Sequence, residues 1–86
     1  VRPDIARAID GERDYQDEKW NGETTATEGR HTVTEFLVYM RDYVEEALHH
    51  ASRNADPAAV DFTLHSVRKV TALGVACMEQ NGVRYR

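Results

Sequence analysis

The 86 residues, 41% hydrophobic and 30% charged, have the composition of one small globular domain rather than of a disordered or membrane-embedded chain. No apolar run nears the roughly 20 residues needed to span a bilayer, and no basic head followed by an apolar run opens the chain, so a cytoplasmic setting without membrane contact is expected. A net charge of −4 argues against nucleic acid as the main partner, because phosphate backbones call for a concentrated basic surface.

The first element is a helix over about 4–20. Asp4 behind Pro3 reads as its N-cap, and Asn21-Gly22 as its stop. Ile5, Ile9 and Trp20 share one side of it, and the spacing places Glu12 and Gln16 on that same side, against the amphipathic pattern. A carboxylate drawn toward an apolar interior is costly unless paired or coordinated. Glu12 therefore calls for a cation, with Arg68, Lys69 or a metal ion as candidates. Gln16 can hydrogen-bond across a helix interface in either direction. The pair reads equally as part of a ligand site and as a polar lock between helices.

Residues 21–31 are polar, punctuated by Gly22 and Gly29, and read as a loop. Thr32-Val33-Thr34-Glu35 matches a capping box, opening a second helix over about 33–53. Its predicted core face is Val33, Leu37, Met40, Val44, Ala47/Leu48 and Ala51, flanked by Phe36, Tyr39 and Tyr43. The opposite stripe gathers Glu35, Asp42, Glu46 and His49, with Glu45 beside it. Asp42 and Glu46 stand one turn apart, so their carboxylates could converge on a divalent cation, and oxygen ligands favour Mg²⁺ over Zn²⁺. The same stripe also reads as an ordinary solvated face, and His49-His50 as cations that complement the helix dipole.

Asp56-Pro57 marks the third start, for a helix over about 57–81 closed by Asn81-Gly82. Val60, Leu64, Val67, Thr71, Gly74 and Met78 line one face, while Val70, Leu73, Val75 and Cys77 carry apolar character nearly all round between residues 70 and 78. Such a helix is surrounded. Ala72, Gly74 and Ala76 leave room for another backbone. The lone cysteine, Cys77, excludes an internal disulfide and reads as an inert buried thiol. A narrow polar strip, Asp61, His65, Arg68, Lys69 and Glu79, holds cations suited to phosphate or to neighbouring acids. The expected fold is all-α, three main helices in a bundle, with a second copy of the chain completing it as a homodimer and the third helix near the two-fold axis.

The segments ER-x-YQ-x-x-KW over 12–20, TVTEF over 32–36, YVEEA over 43–47 and VTALGVACMEQNGV over 70–83 resemble a group of small phage and bacterial helical proteins, over nearly the whole chain. These in turn are distantly similar to the MazG-like all-α nucleotide pyrophosphohydrolases. That resemblance implies helical bundles working as dimers or tetramers, Mg²⁺ held by acidic residues on paired helices, and cleavage of nucleoside triphosphates to monophosphate and pyrophosphate. Glu45 and Glu46 stand where the first two acids of the family's EExxE motif belong, and are the catalytic candidates, with Asp42, Glu45, Glu46 and His49 as the metal set. His49 replaces the third acid, and Val67-Arg68-Lys69-Val70 offers no ExxD, so the acid set is incomplete. On this reading Glu12, Gln16, Trp20, Arg68 and Lys69 contact the nucleotide. The alternative is a noncatalytic dimeric helical module of phage or prophage origin that binds another protein.

Overall fold

The structure, a computed structural model, describes residues 1–20, 30–53 and 57–86, without the side chains of 20, 52–53 and 57–59. It is all-helical. Helix α1 is Pro3–Trp20, α2 is Val33–Arg53 and α3 is Pro57–Asn81. The expected stop at Asn21-Gly22, most of the 21–31 loop and the cap at Asp56 lie outside the described residues.

The helix ends follow from local chemistry. Pro3, not Asp4, is the first residue of α1, because a ring with fixed φ and no N–H is best placed where no intrahelical bond is made. The Ala6 amide closes that turn on the Arg2 carbonyl at 2.9 Å. At the start of α2 the capping box is present in both directions. The Glu35 amide donates to Thr32 Oγ1 at 3.1 Å, and the Thr32 amide donates to Glu35 Oε1 at 3.0 Å. His31 stands one residue before the cap and meets Phe36 edge to face, with ring centroids 5.6 Å apart, as a staple across the helix start. At the far end of α3, Gly82 adopts φ +82°, and its amide reaches the Met78 carbonyl at 2.8 Å. A Cβ would strain that left-handed conformation.

The hydrogen bond from Thr32 and the neighbouring His31 ring hold the Glu35 carboxyl below the usual carboxylate range. A depressed folded value means the stabilisation is present above the unfolded value, about 4.3, and is lost as pH falls through the lower folded one. Thr32→Ala is expected to lower stability by about 1 kcal/mol. Glu35→Ala should also flatten the acid limb of a stability–pH curve, measured by urea unfolding between pH 7 and pH 3.

Helix α3 is the axis of the molecule. It packs against α2 on one side and α1 on the other, while α1 and α2 do not pack on each other among the described residues. The core sits between α2 and α3, where Phe36, Leu73 and Ala76 are sealed from solvent and Tyr39, Met40, Tyr43 and Cys77 pack round them. Ala72 is also fully buried, so the small residues of α3 do admit neighbouring helices.

The face of α2 that meets α3 is part of the predicted buried sector, Met40 with the aromatic flank, without most of the aliphatic stripe. The aromatic flank of Phe36, Tyr39 and Tyr43 turns inward, and Val33, Leu37, Val44 and Leu48 are 49%, 58%, 42% and 63% exposed. The reason is geometric. Among the described residues α2 has only α3 to pack against, and rotating the larger rings into that contact buries more apolar surface than the aliphatic stripe would. On α3 the predicted stripe is likewise open, with Val60 and Leu64 each 58% exposed and Val67 50%.

Candidate functional site

The polar residues that break the pattern of α1 are buried, as their spacing predicts. Glu12 is 7% and Gln16 5% exposed. Glu12 Oε1 accepts a hydrogen bond from Arg68 Nε at 3.1 Å, which is the cationic partner that its burial requires. Gln16 uses both ends of its amide. Its nitrogen donates to the Lys69 carbonyl at 3.4 Å, and its oxygen accepts from Arg13 at 3.3 Å. Lys69 then directs its ammonium over the Tyr43 ring, 5.0 Å from the centroid, so one residue touches α1 through its backbone and α2 through its side chain. Arg68 is also joined to the His65 ring. Among the described residues no buried side-chain nitrogen or oxygen lacks a partner.

These side chains line a groove of about 590 Å³ between α1 and α3, which Tyr43 of α2 also lines. Four cations line it, Arg7, Lys19, Arg68 and Lys69, against one carboxylate, Glu12. In a chain of net charge −4 this is a local reversal of sign. Tyr15, 57% exposed, offers an aromatic surface at the same groove. Arg68 remains 45% exposed at its side chain, so its guanidinium can meet a ligand while still holding Glu12.

Four of the five residues expected at a ligand site are thus brought together. The side chain of the fifth, Trp20, lies outside the described residues. The expected metal set is arranged differently. Asp42, Glu45, Glu46 and His49 occupy the exposed side of α2, whereas Glu12 is committed to Arg68. Among the described residues no group of three His, Cys, Asp or Glu side chains converges closely enough to hold a metal ion.

No family model, curated protein or solved structure matches the chain. The site is accordingly defined by its own residues.

Arg7, Tyr15 and Lys19 of the groove escaped the sequence reading, as did two residues of the polar network, Arg13 and His31. Arg13, placed outward by helical spacing, bridges Glu79 of α3 at 2.8 Å, Asp17 at 2.9 Å and Gln16, with its side chain only 11% exposed. Its spacing to Gln16 and Asp17, three and four residues on, was the available signal. His31 was read as the end of a loop. It is 6% exposed, its amide donates to Gln80 Oε1 at 2.8 Å, and its carbonyl accepts from the Asn81 amide nitrogen at 3.1 Å. These bonds tie the entry of α2 to the end of α3. Its position just before a capping Thr, with Phe36 at the matching place inside the helix, marked it as a staple.

Proposed function

We propose that the groove between α1 and α3 binds a phosphate-bearing nucleotide without hydrolysing it, a reduced form of the MazG-like activity that the sequence resembles. One observation carries this reading: Arg68 and Lys69, singled out for phosphate, meet Glu12, Gln16 and two further cations round a single groove that also holds two tyrosines. Arg68 and the rim cations would take phosphate oxygens, with Arg supplying the planar, two-pronged geometry. Tyr15 would take the base. Hydrolysis is left out of the proposal because Glu45, Glu46 and Asp42 sit on another surface.

Calorimetric titration with a panel of canonical and modified dNTPs should give saturable binding that weakens as salt rises. Lys19→Glu, on the exposed rim, should weaken it at least about 10-fold while leaving the thermal midpoint of the free protein unchanged. No heat and no thermal shift with any nucleotide at millimolar concentration would remove the reading. Pyrophosphate release in the presence of Mg²⁺ or Mn²⁺ would instead restore a hydrolytic one.

A second reading is favoured by the completeness of the polar bonding. The Glu12 carboxylate and both ends of Gln16 are already engaged by α1 and α3. On this view they lock the helices of a noncatalytic interaction module. The two readings separate at nucleotide binding itself, because Glu12→Ala is expected to lower stability on both: saturable binding weakened by Lys19→Glu supports the ligand site, and a folded protein that binds no nucleotide supports the lock.

A further inference from the structure

A second groove lies between α1 and α3, beside the polar one. It holds about 630 Å³, within the range of small-molecule sites, and hydrocarbon makes up most of its wall, with Ile5 and Ile9 of α1 opposite Phe62, Leu64 and Val67 of α3. Ile5, Phe62, Leu64 and Val67 are each at least half exposed. Exposed hydrocarbon gathered in one concavity marks a binding surface, whereas the same residues scattered singly would need no explanation.

Charge gives this groove a direction. Ala8, His65 and Arg68 line it and the polar groove alike, so the two meet at a cationic junction. The one carboxylate in its wall, Asp61, is exposed and stands on α3 two turns before Arg68, about 10 Å along the helix. An anion is therefore drawn to the Arg68 end and turned away from the Asp61 end, and the stretch between them accepts only hydrocarbon.

Arg68 has donors left for such an anion. Its Nε is given to Glu12 and its Nη2 to the His65 ring, while Nη1 makes no hydrogen bond among the described residues and the side chain is 45% exposed. An arginine can only donate, so His65 Nδ1 is the acceptor in that contact. The proton of the neutral imidazole then sits on Nε2, which adds a further donor at the junction.

We infer that this groove takes the hydrocarbon chain of a small amphipathic anion, a free single-chain alkyl or acyl compound whose phosphate or carboxylate head is held at Arg68. The head meets charge-assisted donors and the chain leaves water against Ile5, Ile9, Leu64 and Val67. The inference goes beyond the nucleotide reading. It shares with that reading only the place of the anion at Arg68 and needs no base at Tyr15.

Calorimetric titration with butyl, hexyl and octyl phosphate, each below its micelle-forming concentration, is expected to show affinity rising with chain length, by up to about fourfold per added methylene. Octanol and octylamine, which lack the oxyanion, should bind at least about 10-fold more weakly than octyl phosphate. Leu64→Gln, at an exposed position, should flatten the chain-length dependence and keep the binding of butyl phosphate, with helicity retained by circular dichroism. Ile5→Gln carries the same test if that variant fails to fold. Leu48→Gln, in the separate groove between α2 and α3, should leave the series unchanged. Affinity independent of chain length, octanol binding as tightly as octyl phosphate, or a dependence untouched by Leu64→Gln would each overturn the proposal. Co-sedimentation with phosphatidate vesicles in the absence of octyl phosphate binding would overturn it too and assign the surface to a membrane. Octyl phosphate binding without nucleotide binding would sustain this inference and remove the nucleotide reading, and the reverse result would do the opposite.

Discussion

Phe36→Ala is expected to remove about 4 kcal/mol of stability, which is a large share of what a domain of this length has at roughly 0.1 kcal/mol per residue. Phe36 is fully sealed between α2 and α3, against Leu73 and Ala76, and its ring also carries the edge-to-face contact from His31. Truncation would leave a cavity at the centre of the α2–α3 contact and remove the inner half of the staple at the start of α2. A core this small has few neighbours able to move inward. Leu73→Ala, the matching deletion from α3, should cost about 3 kcal/mol. Urea unfolding at one fixed protein concentration, followed by circular dichroism, measures both. A loss under 1 kcal/mol for Phe36→Ala would mean that the helices pair through another surface.

The second large effect is an asymmetry within one ion pair. Arg68→Ala leaves the Glu12 carboxylate, 5% exposed at its side chain, without its cation, and should cost about 3 kcal/mol. Glu12→Ala leaves behind a guanidinium already 45% exposed, which can return to water, and should cost only about 1–2 kcal/mol. The double substitution should be less damaging than the sum of the two, with a coupling of about 1 kcal/mol or more. If Glu12→Ala proves the costlier change, the carboxylate is being stabilised by something other than Arg68.

The three helices were legible because their ends carry strong local signals: Pro3, the Thr32–Glu35 box, Pro57 and Gly82. The inward placement of Glu12 and Gln16 was legible too, because burial in a helix follows a fixed angular period and does not depend on distant sequence. What spacing alone could not reveal was which apolar face meets which neighbour. Helix α2 has two candidate faces, the Leu37–Val44 stripe and the Phe36–Tyr43 flank, and both satisfy the period. The choice between them is made by α3, the one helix that α2 packs against among the described residues. The convergence of Arg7, Lys19, Arg68 and Lys69 was similarly hidden, since it depends on how α1 lies along α3. For the acids of α2, spacing shows that Asp42, Glu45 and Glu46 stand close together on one helix, but not which other elements come near them, and among the described residues no metal-holding group of three His, Cys, Asp or Glu forms there.

The central position of α3 also sets an order of release. Among the described residues helix α1 packs only on α3, and much of that contact is made of ion pairs and the Gln16 amide rather than large sealed hydrocarbon. It can therefore lift away while the Phe36–Leu73 contact survives, giving a sub-global opening of lower free energy than complete unfolding. Salt would ease that opening, since it screens the Arg13–Glu79 bridge more than any hydrophobic contact. The amides of α1 would then exchange with solvent ahead of those in the α2–α3 hairpin.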